Sequence, residues 1–130
     1  MDLLDFTPKT DDITIELKCG DKTLKNEDGS AMTWTIMAPH SEEAKSVVHT
    51  MTDARIEKAA KTKTKALKSA EVEEITLEGL AKTTRSWDIT WDKKKPKYSV
   101  KLAIEILQKA PWIRELIEEA RQDSMDFMKV

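Results

Sequence analysis

LEGLAKTTRSWDITWDKKKPKYSVKLAIEILQKAPWIRELI, residues 77–117, holds three of the four tryptophans (Trp87, Trp91 and Trp112), the single Tyr98 and the densest aliphatic run of the chain. Two helical patterns flank a short aromatic loop. Ser99 is placed to cap a helix whose inward positions are Val100, Leu102, Ala103, Ile106 and Leu107. Pro111 suits the first turn of the next helix, because the amide proton it lacks would have gone unpaired there. Trp112, Ile113, Leu116, Ile117 and Ala120 form the apolar side of that helix. Upstream, Thr76 is read as the cap of a helix reaching about Ser86, with Leu77, Leu80 and Ala81 inward. Trp87 continues in phase, residues 87–91 form a loop, and Trp87 and Trp112 are expected to fill the core. This is the pattern of a packing unit rather than a reaction centre.

Working outward, Ser41 followed by Glu42 and Glu43 marks a helix start, a hydroxyl for free amides and carboxylates at the positive end of the dipole. Ala44, Val47, Val48, Met51 and Ala54 give it one apolar face. Residues 55–68 then carry Arg55, Lys58, Lys61, Lys63, Lys65 and Lys68 against Glu57 alone, a stretch able to extend a helix into solvent with little to bury. Nearer the start, Ile13, Ile15 and Leu17 alternate with Thr14, Glu16 and Lys18, the period of a half-buried strand. Gly20-Asp21 marks a turn before a short strand over residues 22–25. The run from Asn26 to Ser30 is strong turn chemistry, and residues 32–37 read as the returning strand with Trp34 and Ile36 on one face.

The expected fold is therefore α+β: a small N-terminal antiparallel β unit of two or three strands, followed by about four helices packed as a bundle. One domain spans residues 1–130, with a β unit and N-terminal arm over 1–38, a helical part over 41–123 and a tail over 124–130. A length of 130 residues suits one core. The composition, 39% hydrophobic and 35% charged, describes a modest core under a heavily charged surface. The formal net charge of −2 gives no global pull toward nucleic acid or anionic membranes. Cys19 has no partner for an internal disulfide, which points to a reducing compartment. The acidic start MDLLDFTPKTDD lacks the basic and apolar regions of a leader, and no run is long enough to span a membrane, so a cytoplasmic protein is expected.

Several chemistries are weighed and set aside. Asn26, Asp28 and Gly29 match the third, fifth and sixth positions of a calcium loop, but Leu24 and Thr35 stand where its first and last ligands belong. Cys19, His40 and His49 have no zinc spacing. The three glycines, Gly20, Gly29 and Gly79, form neither a nucleophile elbow nor a phosphate cradle. No catalytic, cofactor-binding or metal-binding residue is assigned, and no cofactor is expected. The basic stretch and the helix pair around Pro111 superficially suggest DNA binding. The second helix of that pair, however, carries Glu115, Glu118 and Glu119 where a recognition helix is basic. Trp91, beside Asp92 and the lysines, is the aromatic least committed to the core. With Phe6, Phe127 and Met128 from the apolar chain ends it forms the candidate partner-binding set.

A family resemblance rests on the order of landmarks. A helix ending in tryptophan (LAKTTRSW, 80–87), a polar loop reaching proline and tyrosine (DKKKPKYS, 92–99), a serine-capped helix, a Pro-Trp helix (APWIRELIEEA, 110–120) and late Phe127 resemble the tail assembly chaperones of long-tailed bacteriophages. The Trp34-Thr35-Ile36 strand, Pro39 and the Ser41-capped helix extend the likeness over about residues 32–128. The resemblance implies a non-catalytic protein of the infected bacterium's cytoplasm that coats the long, aggregation-prone tape measure protein until tail tube subunits polymerise around it. It also implies self-association and, for many members, a longer frameshifted form. The basic 55–68 stretch departs from the family pattern. Two other functions compete: a structural tail or connector protein retained in the virion, and a small DNA-binding regulator. No nucleic acid and no membrane are expected as partners.

Overall fold

The structure is a computed structural model that describes residue 3, residues 11–61 and residues 69–125. It is α+β. The elements run β1 (Ile13–Glu16), β2 (Lys18–Cys19), β3 (Lys22–Thr23), β4 (Thr33–Ile36), α1 (Glu42–Lys61), α2 (Ser69–Lys82), β5 (Thr84–Asp88), α3 (Val100–Lys109) and α4 (Pro111–Met125). An antiparallel sheet of order β1-β4-β5 carries the core, and β2 and β3 form a separate small hairpin.

The N-terminal strands follow the alternation of the sequence. β1 pairs with β4 in a register that sets Ile13 against Ile36 and Ile15 against Trp34. The inward side of β4 is closed completely: Trp34 is 0% and Ile36 1% exposed. Gly20 and Gly29, at φ of 66° and 88°, take the turn conformations that side chains with a Cβ resist. The turn at residues 26–30 is more than a reversal. Asn26 is buried, its Nδ2 donates to Ser30 Oγ and Asp88 Oδ1 at 3.2 Å each, and its Oδ1 accepts from Thr90 Oγ1 at 2.7 Å. One side chain thus clasps the hairpin to the far end of β5.

The central stretch departs from its sequence pattern. α2 begins at Ser69, not at a Thr76 cap; Thr76 lies inside the helix and its hydroxyl donates to the Val72 carbonyl. The helix ends at Lys82 rather than near Ser86. Thr83 Oγ1 donates to the Gly79 and Leu80 carbonyls, Thr84 Oγ1 to that of Leu80, and the chain turns out into a strand. Residues expected as helix end and loop therefore form β5, which pairs with β4 and completes the sheet from within residues 41–123. The register sets Ile36 opposite Thr84 and Thr35 opposite Ser86, leaving Arg85 as the extra residue of a bulge. That bulge lets Thr84 and Trp87, three residues apart, both face inward, a spacing that imitates a helix in the sequence.

The helices pack as expected in the C-terminal half. Ser99 caps α3, its Oγ accepting from the Leu102 amide at 3.1 Å. Pro111 is the first residue of α4. Ala103, Ile106, Leu107, Ile113 and Ile117 join Leu17, Trp34, Ile36, Leu77, Leu80, Ala81 and Ile89 in one core. Trp87 and Trp112 pack against this core but stay partly exposed, so the tryptophan that fills it is Trp34, reached from the sheet side. α1 is the least embedded helix. Ala44 and Met51 are buried, but Val48, placed on the same stripe by the sequence, is 46% exposed, and Ile56 is 62% exposed.

Candidate partner-binding surfaces

Trp34, Trp87 and Tyr98 meet in an aromatic file. Trp34 and Trp87 are opposite residues of β4 and β5 with ring centroids 4.9 Å apart, and the Tyr98 ring meets Trp87 edge-on at 5.2 Å. Every polar tip in the file is satisfied. Trp34 Nε1 donates to Thr84 Oγ1 at 3.0 Å, Trp87 Nε1 to the Pro96 carbonyl at 2.9 Å, and the Tyr98 hydroxyl to the Ala81 carbonyl at 2.6 Å. Desolvation raises the Tyr98 phenol above its ordinary range. The sheet, the end of α2 and the approach to α3 are locked by these three bonds, which is framework rather than binding site.

Trp91 was the aromatic left free by the sequence. It opens a tight hairpin turn, Trp91 N donating to Lys94 O at 2.8 Å and Lys94 N back to Trp91 O at 3.1 Å. Asp92 and Lys93 at the tip have φ of 51° and 64°, the left-handed pair that such a two-residue turn demands. The indole packs partly against the core, leaving only part of its surface for a partner. Phe6, Phe127 and Met128 lie outside the described residues, so Trp91 is the one member of the four-residue set that the structure describes.

Two charged clasps secure the sheet's β5 edge. Bulged Arg85 reaches Asp12 Oδ2 at 3.2 Å and Glu43 Oε2 at 2.8 Å, joining the approach to β1 with the first turn of α1. Hydrogen bonding to these carboxylates raises the guanidinium pKa further, and the bond from Arg85 lowers that of Glu43. Lys95 pairs with Asp88 at 3.0 Å, and that hydrogen bond raises its pKa. All these groups are exposed, so their contribution is screened by salt and small.

The surface the sequence did not flag is a groove of about 270 Å³ between α1, α2 and α4. Val48 and Met51 of α1 face Ile75 and Leu80 of α2 across it, and Arg55 and Arg121 stand on its walls. Gly79 lies in the groove beneath α1, where a Cβ would sit 3.7 Å from Met51 Cγ, an ordinary contact distance. Arg55 and Arg121 are 66 residues apart, so only the fold unites them, whereas the weak apolar stripe of α1 was a signal that its outer edge lacked a partner.

Cys19 is an exposed thiol on β2, and His49 lies on the exposed side of α1, as a helix-surface residue would. Among the described residues no group of three His, Cys, Asp or Glu side chains is placed to hold a metal, and no helix is long and apolar enough to cross a membrane. Compared with protein-family models, curated proteins and solved structures, the chain matches none of them.

Proposed function

We propose that this chain is a tail assembly chaperone of a long-tailed bacteriophage, a non-catalytic protein that holds the tape measure protein soluble in the cytoplasm of the infected cell and yields it to polymerising tail tube subunits. The observation that carries this reading is the convergence of the landmarks behind the resemblance. Trp34, Trp87 and Tyr98 form one aromatic file, Ser99 caps α3 and Pro111 opens α4.

The α1 edge adds support. A chaperone for a long amphipathic partner needs apolar surface at its disposal and a charged exterior to stay in solution. Val48 on the wall of the α1–α2–α4 groove and the exposed Ile56 of α1 supply the first, and a chain that is 35% charged supplies the second. Self-association through the same kind of surface fits this role.

Co-expression tests the proposal. With the tape measure protein of the same genome, this chain raises the soluble fraction several-fold; equal solubility with and without it removes the reading. Mass spectrometry of purified virions then separates a chaperone, absent from the particle, from a structural tail component, present at fixed stoichiometry.

A further inference from the structure

The groove between α1, α2 and α4 has a chemistry of its own. Its apolar part is the exposed Val48 above a floor of buried Met51, Ile75 and Leu80, with Gly79 also in its lining. Its charged part is unbalanced. Arg55 is exposed, Arg121 half-buried, and neither side chain makes an ion pair with a described residue. The one carboxylate on the wall, Glu118, is already engaged by Arg114 Nε at 3.4 Å. Two guanidiniums with no ion-pair partner among the described residues, set beside an apolar slot, select against a basic occupant and for one that pairs a large apolar side chain with carboxylates.

We propose that this groove is the partner-holding site and that its occupant is an acidic amphipathic helix of another protein. Such a helix lays an apolar side chain between Val48, Met51, Ile75 and Leu80 and brings a carboxylate one turn away onto Arg55 and Arg121. A helix suits the site because three helices form its walls and because residues one turn apart on an incoming helix share a face. This rests on the protein-binding reading above and adds to it the place, the secondary structure and the charge of what is bound.

The test uses the full chain and two labelled synthetic helices, identical in a leucine face and differing in flanking residues, glutamates in one and lysines in the other. Fluorescence polarisation at low salt is expected to show the glutamate helix binding at least about tenfold more tightly than the lysine helix. Arg55→Glu with Arg121→Glu weakens the glutamate helix by about tenfold and narrows the preference, and Val48→Glu weakens both helices. These substitutions are at exposed or half-exposed positions, and unchanged far-UV circular dichroism and Tm verify the fold. Equal binding by the charge-reversed variant, no preference between the helices, or no binding of either overturns the proposal. So does a wild-type dimer that Val48→Glu dissociates, since a second copy would then fill the groove. Co-expression keeps this separate from the chaperone reading. A Val48→Glu chain that rescues the tape measure protein as well as wild type overturns the groove alone, and a wild-type chain that rescues nothing overturns the chaperone reading alone.

Discussion

Thr84 is the hinge between α2 and β5, and replacing it tests whether its hydroxyl or its shape matters. Its Oγ1 accepts from Trp34 Nε1 at 3.0 Å and donates to the Leu80 carbonyl at 2.9 Å, all within the buried interior. Thr84→Val keeps the volume but leaves the indole N–H, on a side chain with 0% exposure, without an acceptor. The Leu80 carbonyl retains the Thr83 hydroxyl at 3.1 Å, so one orphan is created rather than two. A buried unsatisfied donor costs about 1–3 kcal/mol, and the expected loss is about 2 kcal/mol. Thr84→Ser keeps both bonds and sacrifices a methyl, at about 0.8 kcal/mol. The order of stability is therefore wild type, then serine, then valine, with Tm falling by about 4 °C per kcal/mol for a chain of this size. Urea unfolding followed by far-UV circular dichroism measures it, and an unchanged m value shows that the variants unfold the same structure. In the Trp34→Phe background most of the valine penalty, about 2 kcal/mol, should disappear, because no indole donor remains to be orphaned. A valine variant at least as stable as the serine variant refutes the hydrogen-bonded hinge.

Asn26→Ala should cost about 1–2 kcal/mol in the same urea assay, since it strands the Thr90 hydroxyl and unclasps the hairpin from Asp88. Lys93→Gly should stabilise by about 1 kcal/mol, because Lys93 sits at a φ of 64° where glycine pays no steric cost; a drop in Tm would contradict the turn geometry. Alkaline unfolding should bear the mark of Tyr98. Burial raises its folded pKa above the ordinary value of 10.0, so its contribution is fully present below pH 10.0 and is lost as pH climbs through the folded pKa. Tyr98→Phe should lose that pH dependence, read as Tm against pH on the alkaline side.

Much of the architecture was legible because local and tertiary preferences agree there. The alternation from Ile13 to Leu17, the Ser41 and Ser99 caps and the proline at the start of α4 each have a local cause that the fold preserves. β5 was not legible. A bulge at Arg85 shifts the strand's phase so that Thr84 and Trp87 face inward at a helical spacing, and only pairing with β4 reveals the strand. Trp34 was placed on the correct face, but its rank as the most buried aromatic depends on the sheet being covered by α2, α3 and α4 together. The α1–α2–α4 groove was hidden for a similar reason. No local pattern links Arg55 to Arg121, and the exposure of Val48 follows from how α1 lies on α2, not from its place in the stripe.

Direct capture tests the chaperone proposal most plainly. A tagged chain co-expressed with the tape measure protein of its own genome and run through affinity and size-exclusion columns should carry that protein with it as a soluble complex. Recovery of the folded chain alone, with the tape measure protein in the pellet or eluting separately, would contradict it.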